Sequence, residues 1–200
     1  MYGKLYRGFK SHSLRHFFAP VAQWIEHRTT NPCAGGSTPL GRVFFMIITD
    51  TSYDIFFMSE AIKEAEKSLE KDEPPVGAVV VRNFEIISCG HNLRETLQDP
   101  TAHAELLAIK AAALSLQRWR LSDCVIYVTL EPCSMCAGAM VLARISRLVY
   151  GADDPKYGAV RSLMNLLDDK RLNHKVEVTT GVLAAECGAL LRDFFSSRRK

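Results

Sequence analysis

Two short motifs in this chain hold candidate metal ligands at fixed spacing. His103 and Glu105 form the pattern H-x-E, and Cys133 and Cys136, preceded by Pro132, form the pattern P-C-x-x-C. One imidazole and two thiolates hold zinc in a tetrahedron and leave its fourth position open for water, whereas a structural zinc site takes a fourth protein ligand. Together the motifs predict a zinc site open to reactants, with His103, Cys133 and Cys136 as ligands.

Glu105 stands beside this ligand set without belonging to it. Zinc lowers the pKa of bound water from about 15.7 toward about 7. A carboxylate two residues from the imidazole is placed to accept the proton of that water and to return it to a reacting nitrogen. H-x-E with P-C-x-x-C is the combination used by zinc-dependent nucleobase deaminases. The sequence thus predicts hydrolytic deamination, with Glu105 as general acid and base.

The hydrophobic pattern predicts an alternating α/β chain. Apolar residues recur at helical spacing over 59–69, and residues 76–81 with 85–90 indicate a β-hairpin. Further helices are predicted at 103–116 (with Thr101 as N-cap), 134–143, 162–167 and 183–195, and further strands at 124–130, 147–150 and 176–179. This order gives a mixed five-stranded sheet with helices on both faces, a three-layer α/β/α fold.

The two motifs are thirty residues apart along the chain, but the elements between them bring them together. A helix of about 14 residues rises roughly 21 Å, and the strand that returns covers roughly 23 Å. We therefore expect His103 and Cys133 to open neighbouring helices at the same edge of the sheet. Helix N-termini stabilise thiolates, Pro132 is accepted there, and Cys133 and Cys136 face one side of the first turn.

A purely structural zinc site is the alternative interpretation of the cysteine pair. Its fourth ligand would come from Cys89, Cys124, His91 or His174. The strand positions of the first three direct them away from Cys133 or place them at the far end of a strand, and His174 is expected in a solvated loop. The retained Glu105 favours a catalytic site.

Length and composition place the chain among ordinary globular proteins. Its 200 residues suit one domain, and 48% hydrophobic with 24% charged residues is a typical balance. No apolar run is long enough to span a bilayer, so no membrane partner is expected. The cysteines outside the motif show no paired spacing, which predicts free thiols in a reducing compartment, the cytoplasm. They are Cys33, Cys89, Cys124 and Cys187.

Residues 1–45 differ from the rest of the chain in charge. They hold six basic residues against Glu26, a charge of +5, so the other 155 residues carry −2 of the formal +3. That near-neutral body gives no argument for nucleic-acid binding, and any basic footprint is local, at Arg192, Arg198, Arg199 and Lys200. An organelle transit peptide, a disordered basic arm and a translated tRNA gene are three explanations of the segment.

We favour the third explanation. Residues 21–26 back-translate to GTGGCTCAGTGGATCGAG, similar to the D-arm of a tRNA gene, and residues 28–32 to CGGACTACGAATCCG, whose ends pair as a stem. Residues 36–39 back-translate to GGTTCAACTCC, similar to a T-arm. Residues 1–45 are therefore expected to be a spurious or disordered extension, and residues 46–200 the zinc-dependent deaminase domain.

Three stretches resemble bacterial tRNA-specific adenosine deaminases: DPTAHAE at 99–105, YVTLEPCSMCAGAM at 127–140 and RI at 144–145. The likeness runs from about Tyr53 to Arg199. It implies a homodimer of cytidine deaminase-like fold, with one Zn²⁺ per subunit and no organic cofactor. The implied reaction converts adenosine to inosine at the first anticodon position of tRNA, an arginine tRNA in particular.

The same resemblance implies substrate contacts. By position, Asn92 and the backbone at Val76 and Ala104 would hold the flipped nucleoside. Asp154, Lys156 and Phe195 match places that contact the anticodon loop. For three of these residues there is a plain structural alternative: a turn cap for Asn92, a solvated charge for Lys156 and helix packing for Phe195. A base in an anticodon loop is already partly unpaired, which lowers the cost of extruding it.

Two departures and several rivals stay open. Arg161 stands where the family often has a small residue, and the extension of residues 1–45 is foreign to the family. A free-base deaminase such as a guanine deaminase shares both motifs. Riboflavin-type deaminases space their second cysteine more widely, and cytidine deaminases offer cysteine in place of His103. A non-catalytic zinc or RNA-binding module is the alternative from another class.

The tRNA-gene hypothesis predicts that translation begins at Met46. Peptide mass spectrometry of the protein from native cells should then find tryptic peptides only from residue 46 onward. Recovery of peptides from residues 16–42 would end the hypothesis.

Overall fold

The computed structural model describes residues 39–198, with side chains from residue 51 onward. The chain divides into two compact units, Met1–Phe45 and Met46–Lys200, and the described side chains all belong to the second. The hypothesis about residues 1–45 therefore falls almost wholly outside the described residues, as do Arg199 and Lys200. No helix in the described part is long and apolar enough to cross a membrane.

Five helices and five strands make up the described part of the chain. In chain order they are α1 (Pro39–Leu69), β1 (Gly77–Arg82), β2 (Glu85–His91), α2 (Arg94–Leu97), α3 (Ala104–Ser115), β3 (Val125–Leu130), α4 (Ser134–Ala143), β4 (Arg147–Ala152), β5 (Glu177–Thr180) and α5 (Ala184–Ser197). The four-residue α2 lies in a stretch predicted to be a polar loop. All five predicted strands are present.

The strands form one mixed sheet in the order β2-β1-β3-β4-β5. β1 pairs antiparallel with β2 and β3, and β4 pairs parallel with β3 and β5. The two-residue turn between β1 and β2 joins antiparallel neighbours, whereas each parallel neighbour needs a long crossover. The central strands are buried and rich in valine, and β2 and β5 at the edges are more exposed.

Helices cover both faces of the sheet, so the predicted three-layer architecture is confirmed. One buried cluster joins α3 and α4 to the sheet through residues such as Ala108, Met140 and Tyr150. The other joins α1 and α5 to the opposite face through Phe57, Tyr127 and Cys187. Small side chains along α3 are fully buried and bring that helix close to the strands. They are Ala104, Ala108 and Ala112.

A buried ion pair fixes α1 to the sheet. Asp54, which is 4% exposed, accepts hydrogen bonds from Arg147 Nη1 at 3.0 Å and Nη2 at 2.6 Å. The hydroxyl of Tyr127 donates to the same carboxylate at 2.9 Å. Such a bidentate pair, further bonded by a hydroxyl, leaves little of the buried charge uncompensated.

The predicted helix at 162–167 is wrong: Ser162 and Leu167 lie in turns, and the residues between them form a bend and irregular backbone. In a helix the N–H of Leu166 would donate to the backbone oxygen of Ser162, but it donates to Ala159 O at 3.0 Å. The N–H groups of Val160, Arg161 and Ser162 donate to the carboxylate of Glu131, at 3.1, 2.7 and 2.9 Å. Hydrogen bonds to groups outside the stretch thus replace the helical pattern.

Gly77 is a point at which β1 and α1 approach closely. A Cβ built on it would lie 2.1 Å from the backbone oxygen of Ala61 and 2.4 Å from the backbone nitrogen of Ala65. Because both neighbours are helix backbone, relief requires that strand and helix separate.

Gly77→Ala should therefore lower the free energy of unfolding by at least about 2 kcal/mol. Gly138→Ala is the matched control: Gly138 lies inside α4 with nothing within 4 Å of the added Cβ, so greater helix propensity should stabilise the protein by about 0.5–1 kcal/mol. Urea unfolding of both variants measures the difference. Equal midpoints for the two would contradict the close approach of β1 and α1.

Candidate active site

The predicted ligands lie at two neighbouring helix N-termini. His103 is the N-cap of α3, with φ −76° and ψ 149°, and Cys133 is the N-cap of α4, with φ −72° and ψ 173°. Neither side chain caps its own helix, so imidazole and thiol remain available to a ligand. The prediction of Thr101 as N-cap is wrong. Its hydroxyl donates instead to Asp99 Oδ1 at 2.6 Å.

His103, Cys133 and Cys136, here called the ligand triad, converge on one point. His103 Nδ1 lies 3.7 Å from Cys133 Sγ and 3.6 Å from Cys136 Sγ, and all three ligand atoms lie within 4.8 Å of one another. Zinc bonds of about 2.3 Å to sulfur and about 2.0–2.1 Å to nitrogen, at a tetrahedral angle, separate sulfur from nitrogen by roughly 3.6 Å. The triad has the dimensions of three corners of a zinc tetrahedron.

Proton sharing within the triad supports the same interpretation. A hydrogen bond from Cys136, with a further bond from His103, lowers the pKa of Cys133 to about 4. The bond to Cys133 raises the pKa of His103, and the same thiolate together with burial raises the pKa of Cys136. The group thus holds one thiolate beside two protons, those of His103 and Cys136, and a divalent cation binds such a group by displacing them.

Glu105 lies in the first turn of α3 and is 4% exposed. Burial raises the pKa of its carboxyl, which favours a group able both to take and to give a proton near neutral pH. No carboxylate belongs to the group of possible metal ligands found in the described part of the chain. Glu105 therefore keeps the place predicted for a proton carrier beside the triad.

The residues considered for a fourth zinc ligand have other partners or surroundings. His91 Nδ1 lies 3.4 Å from Glu64 Oε2, and His174 Nε2 bonds the backbone oxygen of Ile145 at 2.7 Å. Burial raises the pKa of Cys89 to about 12 and that of Cys124 to about 11. His174, expected to be solvated, is in fact half-buried and hydrogen-bonded. Within the described residues the triad has three protein ligands, which is the open arrangement.

Glu131 ties the loop at 153–162 to the start of α4. Besides the three N–H groups of residues 160–162, its carboxylate accepts the N–H of Asp154 at 3.0 Å and a short bond from the hydroxyl of Ser162. Ala159 N donates to Pro132 O at 2.9 Å. Burial raises the pKa of Glu131, but the bonds from Ser162 and its neighbours bring it below the usual value. The ionised carboxylate of Glu131 therefore holds the loop at 153–162 in place.

Three of the predicted substrate contacts lie at or beside the start of α3. Asn92 is buried, and its backbone N–H donates to Val76 O at 3.0 Å. The next residue, Leu93, donates to Ala102 O at 3.0 Å, one position before His103. Ala104 opens α3, so its own N–H has no partner within the helix. The structure thus brings Val76, Asn92 and Ala104 to the edge of the sheet that carries the triad.

The other predicted contacts lie further out. Asp154 Oδ1 caps a turn by accepting the N–H of Lys156 at 2.9 Å and of Tyr157 at 3.2 Å, and the side chain of Lys156 is exposed. Phe195, near the end of α5, is 47% exposed, and its ring lies 5.2 Å from that of Phe194. Lys156 and Phe195 present surface that a larger substrate could cover.

Arg161 and Arg198 are two further charged residues, on the loop at 153–162 and at the end of α5. Arg161, the departure from the family pattern, forms an exposed ion pair with Asp153 at 3.2 Å. Of the basic residues at the C-terminus, Arg198 pairs with Asp72 and lies 4.3 Å over the ring of Phe194. The guanidinium of Arg198 thus interacts with an acidic side chain and an aromatic ring of the protein itself.

Sequence reasoning missed two buried carboxylates of this region, Glu73 and Glu131. Each directly precedes a proline, Pro74 or Pro132, but that pattern alone does not indicate which groups the carboxylate contacts. Glu73 is fully buried and accepts hydrogen bonds from Asn92 Nδ2 at 3.1 Å and from Thr96 N at 2.6 Å. Burial raises its pKa, but the bonds from Thr96 bring it below the usual value.

Comparison with known proteins agrees with this geometry. Residues 53–199 match the model of the MafB19-like deaminases. A tRNA-specific adenosine deaminase of Bacillus subtilis (strain 168) is 56% identical over 147 residues, 74% of this chain and 91% of that protein.

The solved structures that resemble this chain are also deaminases. A tRNA:A34 deaminase, studied for A-to-I editing at the wobble position of transfer RNA, matches with a TM-score of 0.66 and 43% identity, over 68% of this chain and 99% of that one. A guanine deaminase from Nitrosomonas europaea matches with a TM-score of 0.62 and 25% identity, over 70% and 83% of the two chains. The chain matches the MafB19-like deaminase family over most of its length and belongs to the tRNA-specific adenosine deaminases.

Proposed function

We propose that this protein is a zinc-dependent hydrolytic deaminase that converts adenosine to inosine at the first anticodon position of tRNA, in particular an arginine tRNA. The observation that carries the proposal is a triad with the dimensions of an open zinc site beside a buried, unligated Glu105. The family relationship supplies the substrate class, because the relatives with high identity are named tRNA-specific adenosine deaminases.

The triad suits one Zn²⁺ per subunit. Two sulfur atoms and one imidazole nitrogen form a donor set that zinc prefers, and the Nδ1-to-sulfur distances of 3.6 and 3.7 Å match it. When bound there, zinc supplies the Lewis acidity that makes hydroxide available at neutral pH. The positive ends of α3 and α4 stabilise the negative charge of the thiolates.

Glu105 carries the protons of the reaction. It accepts one proton from the attacking water and donates it to a ring nitrogen of the base, while a bond forms between the water oxygen and the amine-bearing carbon. Glu105 then moves the second proton of the water, from the newly formed hydroxyl to the amine nitrogen. The bond between the carbon and that nitrogen breaks, and the nitrogen leaves as ammonia. A carboxyl whose pKa is raised by burial serves both directions of transfer at neutral pH.

The substrate is held around this centre. Asn92 and the backbone at Val76 and Ala104 flank the start of α3, where a flipped nucleoside must reach Glu105. Asp154 and Lys156, on the loop anchored by Glu131, and Phe195 on α5 offer groups to the anticodon loop. Aromatic rings and cationic side chains are the groups that stack on bases and pair with phosphates.

The proposed homodimer and the proposed cytoplasmic location rest on the family resemblance. Leu114 on α3, 69% exposed, and Leu142 on α4, 75% exposed, are apolar side chains that a partner subunit would cover. The five described cysteines are free thiols, which suits the cytoplasm.

A free guanine deaminase is the second candidate, favoured by the structural match to such an enzyme at 25% identity. The identity to a tRNA-specific relative is higher, at 56%. The exposed Phe195 and Lys156 also have no role in holding a free base. A substrate assay separates the two activities.

The proposed function predicts selective deamination of structured RNA. The zinc-loaded full-length protein, incubated with an adenosine-bearing anticodon stem-loop, free adenosine and guanine, should form inosine only in the stem-loop. Nucleoside mass spectrometry measures the products. Release of xanthine from guanine with no inosine in the stem-loop would support the second candidate, and no deamination of any substrate would refute both.

Metal binding and proton transfer should separate by mutation. His103→Ala should lose both zinc and activity, whereas Glu105→Gln should keep about one zinc per chain and lose about 10²–10⁴-fold in kcat, because it removes only the proton carrier. Metal analysis and the stem-loop assay measure the two effects. His174→Ala, a half-buried histidine outside the triad, is the control and should keep both. Wild-type activity in Glu105→Gln would refute the assigned role.

A further inference from the structure

Glu73 lies in the turn that follows α1 and is fully buried. Its two carboxylate oxygens have different partners: Oε1 accepts the backbone N–H of Thr96 at 2.6 Å, and Oε2 accepts Asn92 Nδ2 at 3.1 Å. One buried anion thus joins the stretch at 92–96 to the turn before β1. A buried carboxylate tolerates no change of partners without cost, because each oxygen must remain hydrogen-bonded.

The bond from Asn92 to Glu73 has a direction. A carboxylate only accepts hydrogen bonds, whereas an amide both donates and accepts. The NH₂ group of Asn92 must therefore face Glu73, and this fixes on which side the amide oxygen lies. The backbone N–H of Asn92 is also held, by Val76 O at 3.0 Å. With backbone and amide both fixed, the Asn92 side chain has a single orientation.

The Asn92 side chain lies next to the first turn of α3. Leu93 N donates to Ala102 O at 3.0 Å, and His103 follows directly. A Cβ on Gly90 would lie 2.5 Å from Ala104 O, so the end of β2 packs closely on the start of α3. Asn92 is therefore held beside the helix turn that carries His103 and Glu105.

We propose that Glu73 is a positioning residue of the deaminase: by fixing the Asn92 amide, it sets which hydrogen-bond donor and acceptor the substrate base meets. This inference rests on the proposed function, in which Asn92 holds the flipped nucleoside. Glu73 acts through Asn92 alone and does not touch the base. Its bonds from Thr96 and from the backbone of Glu95 keep the carboxylate in place while Asn92 holds the base.

Glu73→Gln reverses the polarity of one side of this pair. If the amide oxygen of the new side chain keeps the bond from Thr96 N–H, its NH₂ group meets the NH₂ group of Asn92. The Asn92 amide must turn over to relieve two opposed donors, and it then presents the wrong groups to the base. A site built around a hydrogen bond discriminates strongly against a partner of the wrong polarity.

A double-mutant cycle tests the proposal on the full-length, zinc-loaded protein with the anticodon stem-loop. Glu73→Gln should lower kcat/KM by about 10- to 100-fold in the wild-type background. In the Asn92→Ala background it should lower kcat/KM by less than about twofold, because its partner is gone. An equal loss in both backgrounds, or no loss in the single variant, overturns the proposal.

Asp54→Asn is the matched control for a general loss of stability. Asp54 is also a buried carboxylate, paired with Arg147 and Tyr127, and its hydrogen bonds do not involve Asn92. Its variant should be destabilised and yet show the same small change of kcat/KM with and without Asn92→Ala. If Asp54→Asn shows the same dependence on Asn92 as Glu73→Gln, the coupling is a general stability effect and the proposal is wrong.

A readout that needs no activity separates this proposal from the proposed function. In ¹H–¹⁵N spectra, the Asn92 side-chain NH₂ signals should move in Glu73→Gln, while those of the exposed Asn83 and Asn173 stay in place. If the Asn92 signals do not move, the hydrogen bond between Asn92 and Glu73 is refuted, even if the wild-type enzyme is active. If the signals move in Glu73→Gln but the wild-type protein fails to deaminate the stem-loop, the Glu73–Asn92 pair stands and the proposed function is refuted.

Discussion

The site depends on one constraint: three ligand side chains from two helix N-termini must meet at one point. His103 and Cys133 are both N-caps with extended backbone, and Cys136 lies in the first turn of α4. The sheet makes this meeting possible, because β3 returns the chain from the end of α3 to the level of its start. Two cysteine sulfur atoms and an imidazole nitrogen, a donor set that could hold a metal ion, are thereby placed at the positive ends of two helices.

Buried carboxylates organise the surroundings of this centre in different ways. Glu105 is buried with its pKa raised, which suits proton transfer. Glu131 is compensated by backbone N–H groups and anchors the loop at 153–162. Glu73 is compensated by Thr96 and Asn92. The same side chain thus serves as a loop anchor and, as we propose, as a proton carrier and as a guide for a neighbouring amide.

Periodicity and spacing predicted most of the fold and the three side chains that the structure brings together as possible metal ligands. Strands rich in valine and helices with an apolar stripe are local signals, and the ligand spacing is itself a local pattern. The predicted helix at 162–167 is wrong because the N–H of Leu166 bonds Ala159 O rather than Ser162 O. Glu73 was missed because it binds an amide distant in sequence, that of Asn92. Neither bond leaves a periodic trace in the sequence.

Zinc K-edge X-ray absorption on the purified full-length protein tests the ligand triad most directly. We expect about two sulfur neighbours at about 2.3 Å and two nitrogen or oxygen neighbours at about 2.0–2.1 Å, one from His103 and one from solvent. Three or more sulfur neighbours, or a protein that is active without bound zinc, would contradict the open site.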